Sequence, residues 1–361
     1  MLIKLNNIMN ICLLGNNLTN LLLGSILTKK KINVDIIYQP KKFELKNTVR
    51  TIAISNDNYN FLRENLKGFK NLGWPTEKIK IYSEKNKSTE LFEFKNKNQN
   101  NFYLLKYIEI YNLLKKNKLM NFIKLKTYNF DLIKKKNYNL IINSDHNNPI
   151  TKKHFQKKIE KNYKSQAHTA IINHSKIENK VAIQVFTNSG PLAFLPLSKN
   201  QTSIVFSNNS SKLIEKNKFL QIIKKYNLNY KINNMSDVES FNIKFSYLRN
   251  YTYKNILSFG DLIHKVHPLA GQGFNMTIRD IKSLSQIIDK NIKLGIDDGE
   301  IIAQSFQENN KHLNFIYGVA IDSINSFFKI DSKLNNNLSH PIFKILKGNK
   351  FLNNYATFLS N

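Results

Sequence analysis

The stretch from Ser258 to Asp280, SFGDLIHKVHPLAGQGFNMTIRD, gathers three glycines, a proline, two histidines and two aspartates before it turns into a helix-like pattern. An apolar strand ends at Gly260-Asp261, a proline and glycine loop follows, and a helix is predicted from about Phe274. Gly271 and Gly273 let the backbone approach a ligand closely, and the N–H groups of the new helix favour an anionic or electron-rich group. Asp261, at the carboxyl end of a strand, can accept hydrogen bonds from sugar hydroxyls. An ordinary glycine-rich helix start leaves this spacing unexplained.

The N-terminal segment NICLLGNNLTNLLLGSILTKKKINVDIIYQ carries the second constraint. A short apolar run (Ile11 to Leu14), a turn at Gly15 to Asn17, a helical stretch to about Lys30 and an alternating strand at Val34 to Tyr38 make a strand–helix–strand unit. Such a unit implies a parallel sheet with a nucleotide over its first turn. Further strands are expected at Leu140 to Ile142 and Ile256 to Phe259, each closed by a turn bearing an aspartate, Asp145 or Asp261. Between them AHTAIINH, KVAIQVFT, GPLAFLPLS and TSIVFSN read as closely spaced strands of an inserted antiparallel sheet. The Lys/Asn-rich patch from Lys85 to Asn101 reads as a loop, and the chain from Ile281 onward as helical.

At 361 residues, 41% of them hydrophobic and 11% aromatic, the chain can build a large core and is not disordered. Its formal charge of +30 points towards acidic phospholipid or nucleic acid, yet only four of the 55 basic residues are Arg. A lysine- and asparagine-heavy chain of this kind has the look of an AT-rich genome. No aromatic-plus-basic signature of nucleic-acid binding is present. Scarcity makes Arg informative, because Lys cannot reproduce the planar fork of a guanidinium. Cys12 is the sole cysteine, which rules out a disulfide within the chain and fits a reducing cytoplasm. No run approaches the ~20 apolar residues that cross a bilayer, so the expected location is cytoplasmic, or peripheral on the inner face of a membrane. His264 and His267 lack a third ligand and are followed by proline, so no metal site is expected.

The segment GDLIHKVHPLAGQGFNMTIRD resembles the second flavin-binding motif of the class A FAD-dependent aromatic hydroxylases, above all the ubiquinone-biosynthesis hydroxylases, whose form is GDAAHxxHPxAGQGxNxGxxD. RTIAIS (Arg50 to Ser55), LGW (Leu72 to Trp74), GPLAFLPLS (Gly190 to Ser198) and AIDSINSFF (Ala320 to Phe328) follow the same family's order and approximate spacing. The resemblance implies an α/β fold: a Rossmann-like FAD-binding domain of the para-hydroxybenzoate hydroxylase type, with an inserted antiparallel β-sheet substrate domain and a helical C-terminus. The expected boundaries are 1–75, 100–165 and 250–330 for the FAD-binding domain, 76–99 and 166–249 for the substrate domain, and 331–361 for a C-terminal helical segment. The resemblance also implies that Asp261 binds the ribityl chain beside Gly260. It further puts Pro268, Gly271, Gln272, Gly273, Phe274 and Asn275 along the isoalloxazine ring and makes Arg50 a flavin contact. Phe194, Leu195 and Pro196 would wall the substrate pocket.

Two of the family's motifs are altered. GxGxxG stands as Gly15-Asn16-Asn17-Leu18-Thr19-Asn20, and GADGxxS as Asn143-Ser144-Asp145-His146-Asn147-Asn148-Pro149, which keeps Asp145 but neither glycine. Gln39 replaces the acidic residue expected at the end of the second strand and can hydrogen-bond a ribose without a charge. Both alterations fall on the adenosine diphosphate side of the cofactor.

The function implied is hydroxylation of an aromatic ring, a polyprenylated ubiquinone precursor, through a flavin C4a-hydroperoxide formed with O2. Electrons would come from NAD(P)H or a separate redox protein, and no catalytic acid or base is named. The competing reading is a noncatalytic relative that serves as a scaffold or partner for other quinone-biosynthesis proteins with weak or absent FAD.

Overall fold

A computed structural model of the chain describes residues 9–39, 48–84, 90–95, 100–118, 120–125, 130–268 and 271–333. The apolar runs expected as strands meet in one six-stranded sheet, in the order Thr252–Tyr253, Ile256–Ser258, Leu140–Asn143, Asn10–Leu14, Asn33–Tyr38, Asn121–Lys124. All neighbours are parallel except the edge hairpin at Thr252–Tyr253. Parallel strands are covered on both faces, so their sequences are nearly unbroken apolar runs rather than alternating ones. The helix Leu18–Lys29 is buried from Leu18 through Leu27, which accounts for its lack of a polar face.

A second sheet of nine strands runs from His264–Lys265 through Glu239–Leu248, Lys158–His174, Gln201–Asn208, Gly190–Pro196, Val181–Thr187 and Lys78–Ser83 to Glu90–Lys95. The strand Ile232–Met235 pairs beside that path with Lys158–His174. The helix Lys216–Tyr226 closes one face over a core that includes Phe194, Phe206, Phe219 and Ile223. The expected antiparallel sheet is present with one difference, because Val181–Thr187 runs parallel to Lys78–Ser83. Within the patch expected as a loop, Glu90–Lys95 (ELFEFK) is instead a strand paired with Lys78–Ser83. Its charged residues alternate with Leu91, Phe92 and Phe94 and hide the short apolar face from a composition-based reading. Residues 85–89 and 96–99 of that patch lie outside the described residues.

The strand Lys158–His174 passes without interruption through the expected boundary at 165, bulging between Asn162 and Ser165, with Lys164 at φ +51°. His264–Lys265, within the segment expected to belong to the first domain, pairs at the edge of the large sheet. A third, three-stranded sheet (Thr51–Ser55, Phe102–Lys106, Trp74–Thr76) completes the framework. The C-terminal helix Gly299–Lys333 enters the segment 331–361, whose remainder lies outside the described residues.

Phe306 on that helix is fully buried, its ring 5.4 Å from that of Phe259 and 6.4 Å from that of Tyr251. It braces the residue just before Gly260. Phe306→Ala is expected to lower unfolding free energy by about 3–5 kcal/mol, read as a lowered denaturant midpoint with unchanged slope; a loss below about 1 kcal/mol would show that the helix does not brace this turn.

Candidate functional site

Strand register brings the three site turns together. Leu14 lies beside Asn143, and Asn143 beside Ser258, at the carboxyl edge of the parallel sheet. The turns that follow therefore set Gly15, Asp145 and Gly260 side by side, at the edge where open α/β sheets take their ligands. Gly15 has φ +109°, and a Cβ there would stand 3.2 Å from the Cβ of Asp145. Gly260, at φ +62°, lies against Thr19 of the first helix, whose Cγ2 would be 2.9 Å from an added Cβ. Gly260 is buried, while Asp261 beside it is exposed. Gln39 follows the end of the second strand and is half-buried.

On the first-helix side the chain satisfies its own groups. Asn17 is extended (φ −134°, ψ 170°), so it is present as a cap and not for a left-handed turn. Its Oδ1 accepts from the Asn20 N–H at 3.1 Å, and its Nδ2 donates to Ser144 Oγ at 2.8 Å. Asn20, fully buried, donates through Nδ2 to the carbonyls of Gly15 at 2.7 Å and Leu14 at 2.9 Å. Tyr107 is a buried phenol. Burial raises that phenol's pKa, and the opposing influence of the Arg50 guanidinium, 5.1 Å above the ring centroid, is smaller. Arg50 itself is exposed.

Among the described residues no side chain caps the start of the second helix. Gly271, at φ +67°, is the N-cap of Gln272–Lys293 and provides no side-chain cap. Its lack of a side chain serves packing, since an added Cβ would meet Ala53 Cβ at 2.8 Å. A Cβ on Gly273 would meet nothing nearer than Val266 Cγ2 at 3.8 Å, so this position does have space. Gln272, Gly273 and Phe274 are half-buried, as is Pro268, whose carbonyl accepts from the Gly271 N–H at 3.4 Å. Asn275 is committed to the protein. It accepts from the Ser55 N–H at 2.9 Å and from Asn58 Nδ2 at 3.0 Å, and donates to the Ala53 carbonyl at 2.9 Å. The helix start is thereby fixed to the strand Thr51–Ser55.

In the large sheet Phe194 is 1% exposed, with its ring in the core beneath the helix Lys216–Tyr226, and Pro196 is buried as well. Alternation turns Leu195, half-buried, to the other face, directly opposite Ser203. Ser203 Oγ is 2.8 Å from Thr51 Oγ1, so that face is the one turned towards Arg50 and the strand Thr51–Ser55. Ser203 and Tyr107 are site neighbours that sequence reasoning missed, one a serine inside an apolar strand and the other one tyrosine among 16. The acidic and amide residues of the loop have assigned tasks too. Asp145 Oδ1 accepts from the Asn147 N–H at 2.9 Å, and Asn148 caps Pro149–His154 through the Ile150 N–H.

His264 and His267 point into different surroundings. His264 Nε2 lies 2.6 Å from Asp280 Oδ2, both side chains 1% exposed, and Asn314 Nδ2 donates to Asp280 Oδ1 at 2.9 Å. The pair spans the loop and joins both of its ends to the C-terminal helix. His267 is 3% exposed and stands edge-on to Tyr163.

The chain is built as the solved FAD-dependent monooxygenases are. It superposes on PqsL from Pseudomonas aeruginosa, described as a probable FAD-dependent monooxygenase, with a TM-score of 0.66, 12% identity, 90% of this chain and 99% of that one. The fold is of the para-hydroxybenzoate hydroxylase type. Residues 206–295, which include the whole loop from Gly260 to Asp280, match the family described as FAD binding domain. In sequence the chain is 28% identical to the mitochondrial ubiquinone biosynthesis monooxygenase COQ6 of Dictyostelium discoideum, over 41% of this chain and 38% of that protein. It is also 28% identical to the Escherichia coli 3-demethoxyubiquinol 3-hydroxylase, over 29% of this chain and 28% of that one. In sequence the chain is therefore similar to ubiquinone-biosynthesis hydroxylases over part of its length. Its alignments span about two fifths or less of the length of these relatives.

Set against a bound FAD, the two halves of the crevice differ. Gly271 gives the helix Gln272–Lys293 no side-chain cap and Gly273 has space beside it, whereas Asn17 caps the first helix through the Asn20 N–H. Among the described residues no helix is long and apolar enough to cross a membrane.

The histidines give the site a pH signature. Burial lowers the pKa of His267 from 6.5 to about 4, opposed by a smaller influence of Asp322 and helped by Lys329. Burial likewise lowers His146 to about 4, helped by Lys265 and Lys158. Between pH 6.5 and 4 the unfolded imidazoles hold protons that the folded ones refuse, so stability is full above this window and falls as pH drops through it. For His267 the loss by pH 4 is on the order of 3 kcal/mol. Denaturant titrations from pH 7.5 to 4 are expected to show that decline, and His267→Asn to flatten it; an identical slope in the variant would assign the decline elsewhere.

Proposed function

We propose that the chain is an FAD-dependent monooxygenase that hydroxylates an aromatic ring, and that its substrate is a polyprenylated ubiquinone precursor. The observation that carries this reading is the loop from Gly260 to Asn275. It ends a strand at an exposed aspartate and turns through a left-handed glycine into a helix whose first amides no side chain caps. Those amides would face the electron-rich edge of the ring, Asp261 would accept from the ribityl hydroxyls, and Arg50 would contact the flavin from the strand opposite. Asn275 and the His264–Asp280 pair would hold that geometry without touching the cofactor. Bound and reduced, FAD would supply the activation of O2 and the oxygen atom for the ring, with electrons from NAD(P)H. The remaining tasks fall to the protein: presenting the substrate from the Leu195 and Ser203 face and excluding water.

Purified protein is expected to be yellow or to take up FAD saturably. Asp261→Ala should weaken that binding by about tenfold or more, while Asp57→Ala, exposed on the first turn of its helix, leaves it within about twofold. Equal effects, or no flavin binding by the unaltered chain, would remove the reading.

A substrate with a long isoprenoid tail resides in lipid, and a chain of net charge +30 would meet anionic lipid at a membrane face. Flotation with vesicles of phosphatidylglycerol and phosphatidylcholine is expected to carry the protein at low salt and release it as screening rises. Indifference to both lipid charge and salt would leave the charge without this role.

A further inference from the structure

The turn from Gly15 to Asn20 occupies the place where a pyrophosphate meets the first helix in dinucleotide-binding folds, and two properties make that place an anion site. The first amides of the helix must be free to donate, and the second motif residue must be small enough for backbone and phosphate to touch. Neither holds in this chain. The Asn20 N–H is taken by Asn17 Oδ1 at 3.1 Å. The Asn17 side chain stands where the second glycine would leave room and is anchored by its Nδ2 to Ser144 on the neighbouring turn, at 2.8 Å to Oγ and 3.3 Å to the carbonyl. Asn20, at the third glycine's position, holds the turn closed from beneath through the carbonyls of Leu14 and Gly15. The replacements are therefore a coupled set: each asparagine supplies a hydrogen bond that steadies the turn, and together they use the donors an anion needs.

We infer that this turn has become self-capped, so that the adenosine diphosphate half of FAD adds little to binding and the flavin is held from its ring and ribityl end. The inference rests on the flavoprotein reading above. It predicts a loss of discrimination between flavins. FAD, FMN and riboflavin share the ring and the ribityl chain and differ only in phosphate and adenosine, so a site without a working phosphate end treats them alike. It also predicts a gain of function. Asn17→Gly removes the cap and the anchor to Ser144 while keeping a residue that helix N-caps tolerate.

The test is the dissociation constant of each of the three flavins, measured by fluorescence quenching and calorimetry on the full chain and on Asn17→Gly. Thermal melts and far-ultraviolet circular dichroism of both proteins confirm folding. The unaltered chain is expected to bind riboflavin within about tenfold of FAD, and Asn17→Gly to favour FAD by at least about tenfold more than the unaltered chain does, with riboflavin affinity unchanged. A larger FAD preference in the unaltered chain, or a variant whose FAD-to-riboflavin ratio does not move, overturns the inference while leaving the flavoprotein reading intact. Should Asn17→Gly unfold, the ratio in the unaltered chain decides. Failure of all three flavins to bind either protein overturns the flavoprotein reading and this inference with it.

Discussion

The site depends on one side chain that behaves like an added residue of a strand. Asn275 takes the N–H of Ser55 and gives a hydrogen bond to the carbonyl of Ala53, so the helix Gln272–Lys293 begins at a fixed height along the strand Thr51–Ser55. Buried as it is, the carboxamide could not lose these partners without a cost of about 1–3 kcal/mol. Its grip forces the preceding loop close to Ala53, and Gly271 is the residue that permits this, being left-handed and without a Cβ. Arg50 precedes the strand, and Thr51 on it reaches Ser203 of the large sheet. One amide thus sets the mutual position of the open helix start, the arginine and the sheet that would present a substrate.

A second tie acts from behind. The His264–Asp280 pair is withdrawn from water almost completely, and such pairs persist where further hydrogen bonds satisfy the carboxylate. Asn314 provides one, which joins the C-terminal helix to the loop. The two ties hold both ends of this segment to the framework.

The two ends of the crevice have diverged in opposite directions. The helix start at Gln272 keeps its glycines and has no side-chain cap among the described residues, while the first helix has exchanged glycines for asparagines that bond to the turn itself. Glycine in a nucleotide turn is useful because it leaves space and donors to a ligand. Once the space is filled by side chains that close the turn, the parallel sheet can retain its architecture without the ligand's contribution. Fold and cofactor grip are therefore separable properties of this turn.

Much of this was legible in the sequence for definite reasons. The unbroken apolar runs, the turns with Gly15, Asp145 and Gly260-Asp261, and the helix after Gly271 depend on local chemistry, namely burial on two faces, positive φ and missing side chains. Charge alternation within ELFEFK hid a strand, and a continuous bulged strand ran through the boundary expected near residue 165. The sequence by itself determined the strand and helix types and the closing turns, because each follows from a residue's own conformational and hydrogen-bonding limits. Only the tertiary structure decided that Phe194 lies in a core while Leu195 faces the strand Thr51–Ser55, that Asn275 docks a helix, and that Asn17 ties the first helix to Ser144. Those outcomes depend on register and on partners far apart in the chain, and no local preference specifies which distant group will meet a given donor.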